Sequence, residues 1–270
     1  MSTATGGAFF LRDGEHLVGT AHTAGPWDPR HMHFGPPAAL MGRAVEATAG
    51  GDGKRVTRAT FEILRPVPIG TVAVRTRVIR PGRRVDLVAA VLTDGDGVEI
   101  ALARAWRMRT TGLDALPGAT APAPPPGPEH GTQREFFAVT AEVHYGTSME
   151  TRFITGSFTT AGPALAWMRM RVPLVEGEVP SPLTRVLVAA DSGNGVSAVA
   201  DPTRLLFVNT DLTVSLHREA VGEWVCLDAS TLLDTGGSGV ATSRLSDTGG
   251  GIGTALQTLF VEPRSRAGDG

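Results

Sequence analysis

The chain has a single cysteine among its 270 residues, Cys226. One cysteine excludes an intramolecular disulfide and a thiolate zinc cluster, and it makes a reducing cytoplasm the expected compartment. There is no run of about 18 apolar residues, the length a helix needs to cross a bilayer. The first residues, MSTATGGAFFLRDGEH, lack a basic stretch followed by a long apolar core, so neither secretion nor membrane insertion is expected. Nor is there an excess of charge of one sign. A net charge of −2 leaves no basic field to displace counterions from a phosphate backbone, which sets nucleic acid aside as a partner.

Hydrophobic residues at 41% and charged residues at 19% describe a globular chain rather than a disordered one, long enough for one large domain or two ordinary ones. From 206 to 216 the even positions Leu206, Val208, Thr210, Leu212, Val214 and Leu216 alternate with a set that includes Asn209, Asp211, Thr213, Ser215 and His217. Period two over this length predicts one long half-buried strand. Three further β-rich runs, 223–232, 239–245 and 254–262, are divided by turns rich in Gly, Asp and Thr, and together they read as an antiparallel meander. On its strand Cys226 reads as a small core residue.

The first half has the same order. Residues 8–21 read as strand broken at Asp13 and Gly14, and 38–49 as a helix that Pro36 and Pro37 open and Gly50 and Gly51 end. Strands follow at 56–64, 71–79, 85–93 and 99–108. Residues 116–131, LPGATAPAPPPGPEHG, carry six prolines and no apolar period, and are expected to connect two units over the surface. Extended segments at 136–145, 151–159 and 164–172, a helix at 182–190 and the meander complete the second half. The division expected is a first unit over 1–115, a linker over 116–133 and a second unit over 134–270, with sheets joined edge to edge so that each covers an edge the other exposes.

Asp191 stands at the end of the second helix, which Ser181 caps at its start. An acid there meets the negative end of the helix dipole, a penalty of about 0.3–1 kcal/mol that also raises its pKa and makes it a better base. The plainer reading is that Asp191 caps the following SGNG turn. Gln257, polar in the strand LQTLF, has as its plain reading an outward-facing position.

Five motifs stand in order: GPALAWMRMRVPL at 162–174, SPLTRVLVAADSGNG at 181–195, DLTVSLHR at 211–218, EWVCLDAST at 223–231 and ALQTLFVEPR at 255–264. Together they resemble the second half of the TesB-like acyl-CoA thioesterases. The resemblance implies an α+β double hotdog, two helices each wrapped by a long antiparallel sheet, with no cofactor or metal. It implies acyl-CoA or another acyl thioester as partner, and further association into a homo-oligomer. It also implies a water held by an Asp after the second helix, a Thr or similar residue early on the next strand, and a Gln on the last strand. Those positions carry Asp191, Asn209 with Thr210 adjacent, and Gln257. Asn209 stands where the family has Thr, and it can bond a water without relaying a proton as a hydroxyl does. Asp191 would act as general base, and backbone N–H groups near 34–38 or Leu183 would take the oxyanion.

Two other clusters have chemical readings. Asp28, His31 and His33 place acid and imidazole together as hotdog hydratases do, without the Asn-Pro expected between them, and the two histidines alone are too few to bind zinc. Arg75, Arg77, Arg80, Arg83 and Arg84 either meet coenzyme A phosphates or are a solvated hairpin. The glycine run 249–253 lies between strands and is a turn, with no helix to bind a phosphate. Hydrolysis of an acyl thioester is the first reading of function. A member that holds an acyl chain without turnover, and an enoyl-thioester hydratase using Asp28 and His33, are the alternatives.

Overall fold

The computed structural model describes residues 7–112, 123–134, 141–201 and 204–264. The first half runs β1 (Phe10–Asp13), β2 (His16–Gly19), α1 (Gly35–Ala47), β3 (Lys54–Ile63), β4 (Thr71–Arg80), β5 (Val85–Asp94) and β6 (Glu99–Arg109). After β7 (Thr132–Gln133) come α2 (Tyr145–Ser148), β8 (Met149–Ser157), β9 (Thr160–Met170), α3 (Pro182–Ala190) and α4 (Gly193–Val196). The chain ends with β10 (Leu205–Asn209), β11 (Asp211–Leu216), β12 (Val225–Leu233), β13 (Ser238–Asp247) and β14 (Gly250–Pro263).

The strands form a single antiparallel sheet in the order β1-β2-β4-β5-β6-β3-β11-β14-β13-β12-β9-β8-β7, with β10 continuing beside β14. Within it, β4-β5-β6-β3 and β11-β14-β13-β12 are the same four-strand unit facing itself, and each unit follows its own helix. The two units join where β3 pairs with β11 about Thr60 and Thr213, whose hydroxyls lie 3.2 Å apart. This is the double hotdog architecture. The edge-to-edge joining leaves no free edge at the centre.

Both helices sit on the inner face of the sheet. Pro36 and Pro37 preset the first turn of α1, and the Ser181 hydroxyl accepts the Thr184 N–H to start α3. Alternate inner positions of the strands beneath α1 are small, with Ala59, Ala90, Ala103 and Ala105 all buried, and this leaves room for the helix. At the C-terminal end of α1, the buried Arg107 guanidinium donates to Asp86 at 2.9 Å and to the carbonyls of Val45, Thr48 and Ala49. The Arg107 guanidinium and the Lys54 ammonium hold the Asp86 carboxyl below its ordinary pKa against the opposing effect of burial.

Several boundaries differ from the sequence reading. The strand expected over 206–216 breaks at Thr210, and side-chain parity changes there. Leu212, Val214 and Leu216 are buried as expected, but in β10 the buried side chain is the odd-numbered Phe207. An irregularity of one residue moves the following set to the other face. Of the segment expected to be extended at 136–145, residues 136–140 lie outside the described residues, and Tyr145 begins the helical turn α2. Of the proline-rich segment, 116–122 lie outside the described residues as well. Its later part lies on β8 and β9, where Pro126 O accepts the indole N–H of Trp167 at 2.7 Å.

The two helices pack closely because two positions on α1 lack side chains. A Cβ on Gly35 would come within 2.5 Å of the Val188 carbonyl oxygen, and one on Gly42 within 2.4 Å of Leu187 Cδ1. Backbone cannot move aside as a leucine methyl can. Gly35→Ala is therefore expected to destabilise the fold by about 1–3 kcal/mol through overpacking. Gly42→Ala should cost less, because Leu187 can turn away and alanine favours the helix by up to about 1 kcal/mol. Urea unfolding of both variants checks this, and the reverse order of cost would contradict the packing described.

Candidate active site

Asp191 is the C-cap of α3 and is 3% exposed. Its Oδ1 accepts Asn209 Nδ2 at 2.9 Å and Gln257 Nε2 at 3.3 Å. The backbone N–H groups of Phe34 and Gly35, at the start of α1, also favour its ionised form, although the hydrogen bond of the Gly35 N–H is to His33 Nδ1, at 3.1 Å. The carboxylate of one helix's last residue is thus seated on the positive end of the other helix, and Gly35 permits the approach. Burial pushes the Asp191 carboxyl up from 3.8 to about 7, while its four donors act in the opposite direction. The sequence reading ascribed a raised pKa to the dipole of its own helix, whereas here desolvation is the larger cause.

Gln257 is fully buried, and both ends of its amide are committed. Oε1 accepts the Asn194 N–H at 3.0 Å, and Nε2 donates to the Asp191 carbonyl at 3.0 Å as well as to its carboxylate. It is not among the residues that line the cavity beside Asp191. Gln257 therefore holds the acid, and the outward position read for it in isolation is corrected, since it is buried. Gly193 makes room for this amide, since a Cβ there would lie 2.9 Å from Gln257 Oε1. Asn209 faces inward because of the break at Thr210, and it also donates to Asp211 O at 3.1 Å. Thr210 itself is exposed. Its N–H bonds Thr258 O at 2.9 Å, its hydroxyl is directed to the same carbonyl, and it does not touch Asp191.

The acid and imidazole expected from Asp28 and His33 are not paired with each other. Asp28 is taken by Arg30 at 2.6 Å and faces His31 at 3.5 Å, both near the surface. The arginine hydrogen bonds keep the Asp28 carboxyl well below the usual range. His33 turns to Asp191 instead, with Nδ1 3.1 Å from Oδ2. The ring stacks on Tyr145, centroids 3.7 Å apart and planes 5° from parallel. Tyr145 is in turn fixed by Val188 O and Ser192 Oγ, each 2.8 Å from its hydroxyl. Burial brings His33 down from 6.5 to about 3. Sequence reasoning missed Tyr145, and its one signal was being the only tyrosine in the chain.

Beside Asp191 and His33 opens a cavity of about 490 Å³. Its wall is mostly apolar, including Trp27, Met32, Phe34, Ile63, Leu206, Val208 and Phe260, with Asn209 on the same wall and Arg65 lining it as well. Arg75, Arg77, Arg80, Arg83 and Arg84 do not line it, and Arg80 lies over Trp106. Leu183, one expected oxyanion position, lines a separate small pocket at the opposite end of the helix pair. Among the described residues no group of three or more His, Cys, Asp or Glu could hold a metal ion, and no helix is long and apolar enough to cross a membrane.

Family models match nearly the whole of this arrangement: an acyl-CoA thioesterase N-terminal domain over residues 23–108 and an acyl-CoA thioesterase C-terminal domain over 117–261. The chain belongs to the acyl-CoA thioesterase family. A search among curated proteins gave no match. Among solved structures, similarity extends to a conserved hot dog protein of Alicyclobacillus acidocaldarius, at 16% identity and a TM-score of 0.72 over 95% of this chain and 96% of that one. A tesB protein of Mycobacterium avium subs paratuberculosis is 18% identical, with a TM-score of 0.67 over 94% and 96% of the two chains. An acyl-CoA thioesterase II of Mycobacterium marinum is 16% identical, with a TM-score of 0.65 over 94% and 95%. At these identities the structures establish the shared fold.

The proton balance of the Asp191–His33 pair has a measurable effect on stability. Between about pH 4 and 6.5 the unfolded chain carries one proton of the pair on His33, and the folded chain carries one on Asp191. The two linkage slopes therefore cancel in this window. Asp191→Asn leaves His33 alone, whose lowered pKa makes folding less favourable as pH falls from 6.5 toward 3. His33→Phe leaves Asp191 alone, whose raised pKa makes folding less favourable as pH rises from about 4 through 7. Thermal unfolding from pH 4 to 8 should show slopes of opposite sign in the two variants and a flatter parent below pH 6.5.

Proposed function

We propose that the chain hydrolyses acyl thioesters, with acyl-CoA as the substrate class, and that Asp191 is the general base. The observation that carries this reading is a buried carboxyl, with a pKa near neutrality, at the wall of an apolar cavity large enough for an acyl chain. A base is most effective when its pKa lies near the working pH, because enough of it is ionised and it still binds the proton firmly.

The acyl chain lies along the apolar wall with its carbonyl facing Asp191. A water between them gives one proton to the carboxylate as its oxygen attacks the carbonyl carbon. Asn209, whose Nδ2 is committed to Asp191, keeps its amide oxygen for the second hydrogen of that water. The tetrahedral intermediate then collapses, the C–S bond breaks, and the carboxylic acid and thiol depart. Arg65 has no ion pair among the described residues and is exposed where it borders the cavity. It is placed to meet the phosphates of the carrier.

Asp191→Asn should preserve the fold and lower thioester hydrolysis by roughly 10²–10⁴-fold. Gln257→Leu removes a donor that stabilises the charged carboxyl, so the acidic limb of kcat/KM, expected near pH 7 in the parent, should move to higher pH. Arg65→Ala should raise KM for an acyl-CoA more than for the same acyl group on N-acetylcysteamine, which lacks phosphates. Free-thiol release from a panel of acyl-CoAs and the matching N-acetylcysteamine thioester measures all three. Full activity in Asp191→Asn would remove Asp191 from the role, and a parent that binds acyl-CoA without releasing thiol would point to a binding protein.

A further inference from the structure

Hydrolysis is helped by a second proton movement, to the departing sulfur, for which Asp191 is poorly exposed. An alkyl thiolate such as that of CoA leaves more readily when it is protonated as it departs, and Asp191 lies almost fully buried within its ring of donors. Asn209 has no hydroxyl with which to pass the proton on. His33 bridges the gap. The Gly35 N–H donates to His33 Nδ1 at 3.1 Å, so that nitrogen presents a lone pair and the ring proton is on Nε2. The same Nδ1 lies 3.1 Å from Asp191 Oδ2, a contact that is favourable when the carboxyl is protonated. Nε2 has no partner among the described residues, and the ring lines the cavity with about 10% of its side chain exposed. The stack on Tyr145 fixes the plane in which both nitrogens lie.

Resting on the hydrolase reading above, we infer that His33 is a catalytic residue that carries the water's proton from Asp191 to the departing sulfur. The Asp191 O–H bond breaks as Nδ1–H forms, and Nε2–H breaks as S–H forms. The ring passes from one neutral tautomer to the other, the carboxylate is restored, and the thiol leaves uncharged. The ring resets when Nε2 takes the proton of the new carboxylic acid and Nδ1 returns its own to Asp191, which releases it to solvent. No imidazolium forms, in keeping with a ring whose protonation is suppressed by burial.

The test separates a proton relay from a structural role by changing the leaving group. One acyl group is offered to the full-length chain as its CoA thioester and as its thiophenyl ester, whose thiolate leaves without a proton. His33→Phe keeps the stack on Tyr145, and His33→Gln keeps a polar N–H donor without a second tautomer. Both should lose roughly 10²-fold in kcat on the CoA thioester, and at least about tenfold less on the thiophenyl ester, while Asp191→Asn falls on both. The Gln variant decides the matter if the Phe variant does not fold, as read by thermal unfolding. Equal losses on the two esters, or parent rates with CoA, would overturn the relay alone. A parent that releases no thiol from either ester would overturn the hydrolase reading and the relay with it.

Discussion

The site depends on the end-to-start packing of two helices. Asp191 ends α3 with its carboxylate against the negative pole of its own helix, and taking that charge out of water is unfavourable. Asn209, Gln257 and the first N–H groups of α1 each favour the charged form against that loss, and a helix start leaves such N–H groups without intrahelical partners. The contact requires that α1 reach the Val188 carbonyl without a side chain in between, and Gly35 meets that requirement. The same end-to-start packing thus places the acid beside the join between the two halves of the sheet, which β3 and β11 make through their own ladder.

The join has two ends related by its own antiparallel pairing, and the sequence has used them differently. At one end Asp191 and Asn209 line a cavity of about 490 Å³; at the other, near the start of β3 and the end of β11, the pocket is about 130 Å³. Gln257 on the last strand of the second unit donates to the C-cap carbonyl of α3, and Arg107 on the last strand of the first unit donates to the C-cap carbonyl of α1. A neutral amide leaves Asp191 close to balanced between its charge states. A guanidinium with its own buried partner, Asp86, ties its helix end to the sheet and leaves little space for a ligand. Two similar anchors of different charge account for an open site at one end and a structural network at the other.

The pattern of the fold was legible in the sequence because it is written in local periods. Prolines mark the start of α1, Ser181 marks that of α3, and alternation gives β3 to β6 within a residue or two. Asp191 was marked by its place at the end of a helix as well as by a resemblance, whereas Asn209 came from the resemblance alone, since the period would have put it on the polar outer face. What reverses it is the break at Thr210, and that depends on how β10 and β11 pair with β14, a long-range register no window of sequence contains. His33 was visible but was matched to the nearer acid, Asp28. Its true partner lies far along the chain, and Tyr145, which holds the ring, sits on a helical turn where a strand was expected.

Burial alone would make Asp191 an acid that stays protonated and His33 a base that stays neutral, and each would be a poor catalyst in isolation. Placed 3.1 Å apart, with burial disfavouring the charged form of each, they are not held as an ion pair. The donors around Asp191 keep its carboxylate within reach near neutral pH, and the stacked tyrosine keeps the imidazole in the plane where it can accept. An added positive charge at this point would hold Asp191 ionised and lower its basicity, as Arg30 does for Asp28. The neutral amides of Asn209 and Gln257 are therefore suited to this position, because they orient the carboxylate while leaving its proton affinity high enough for the role of base proposed for it.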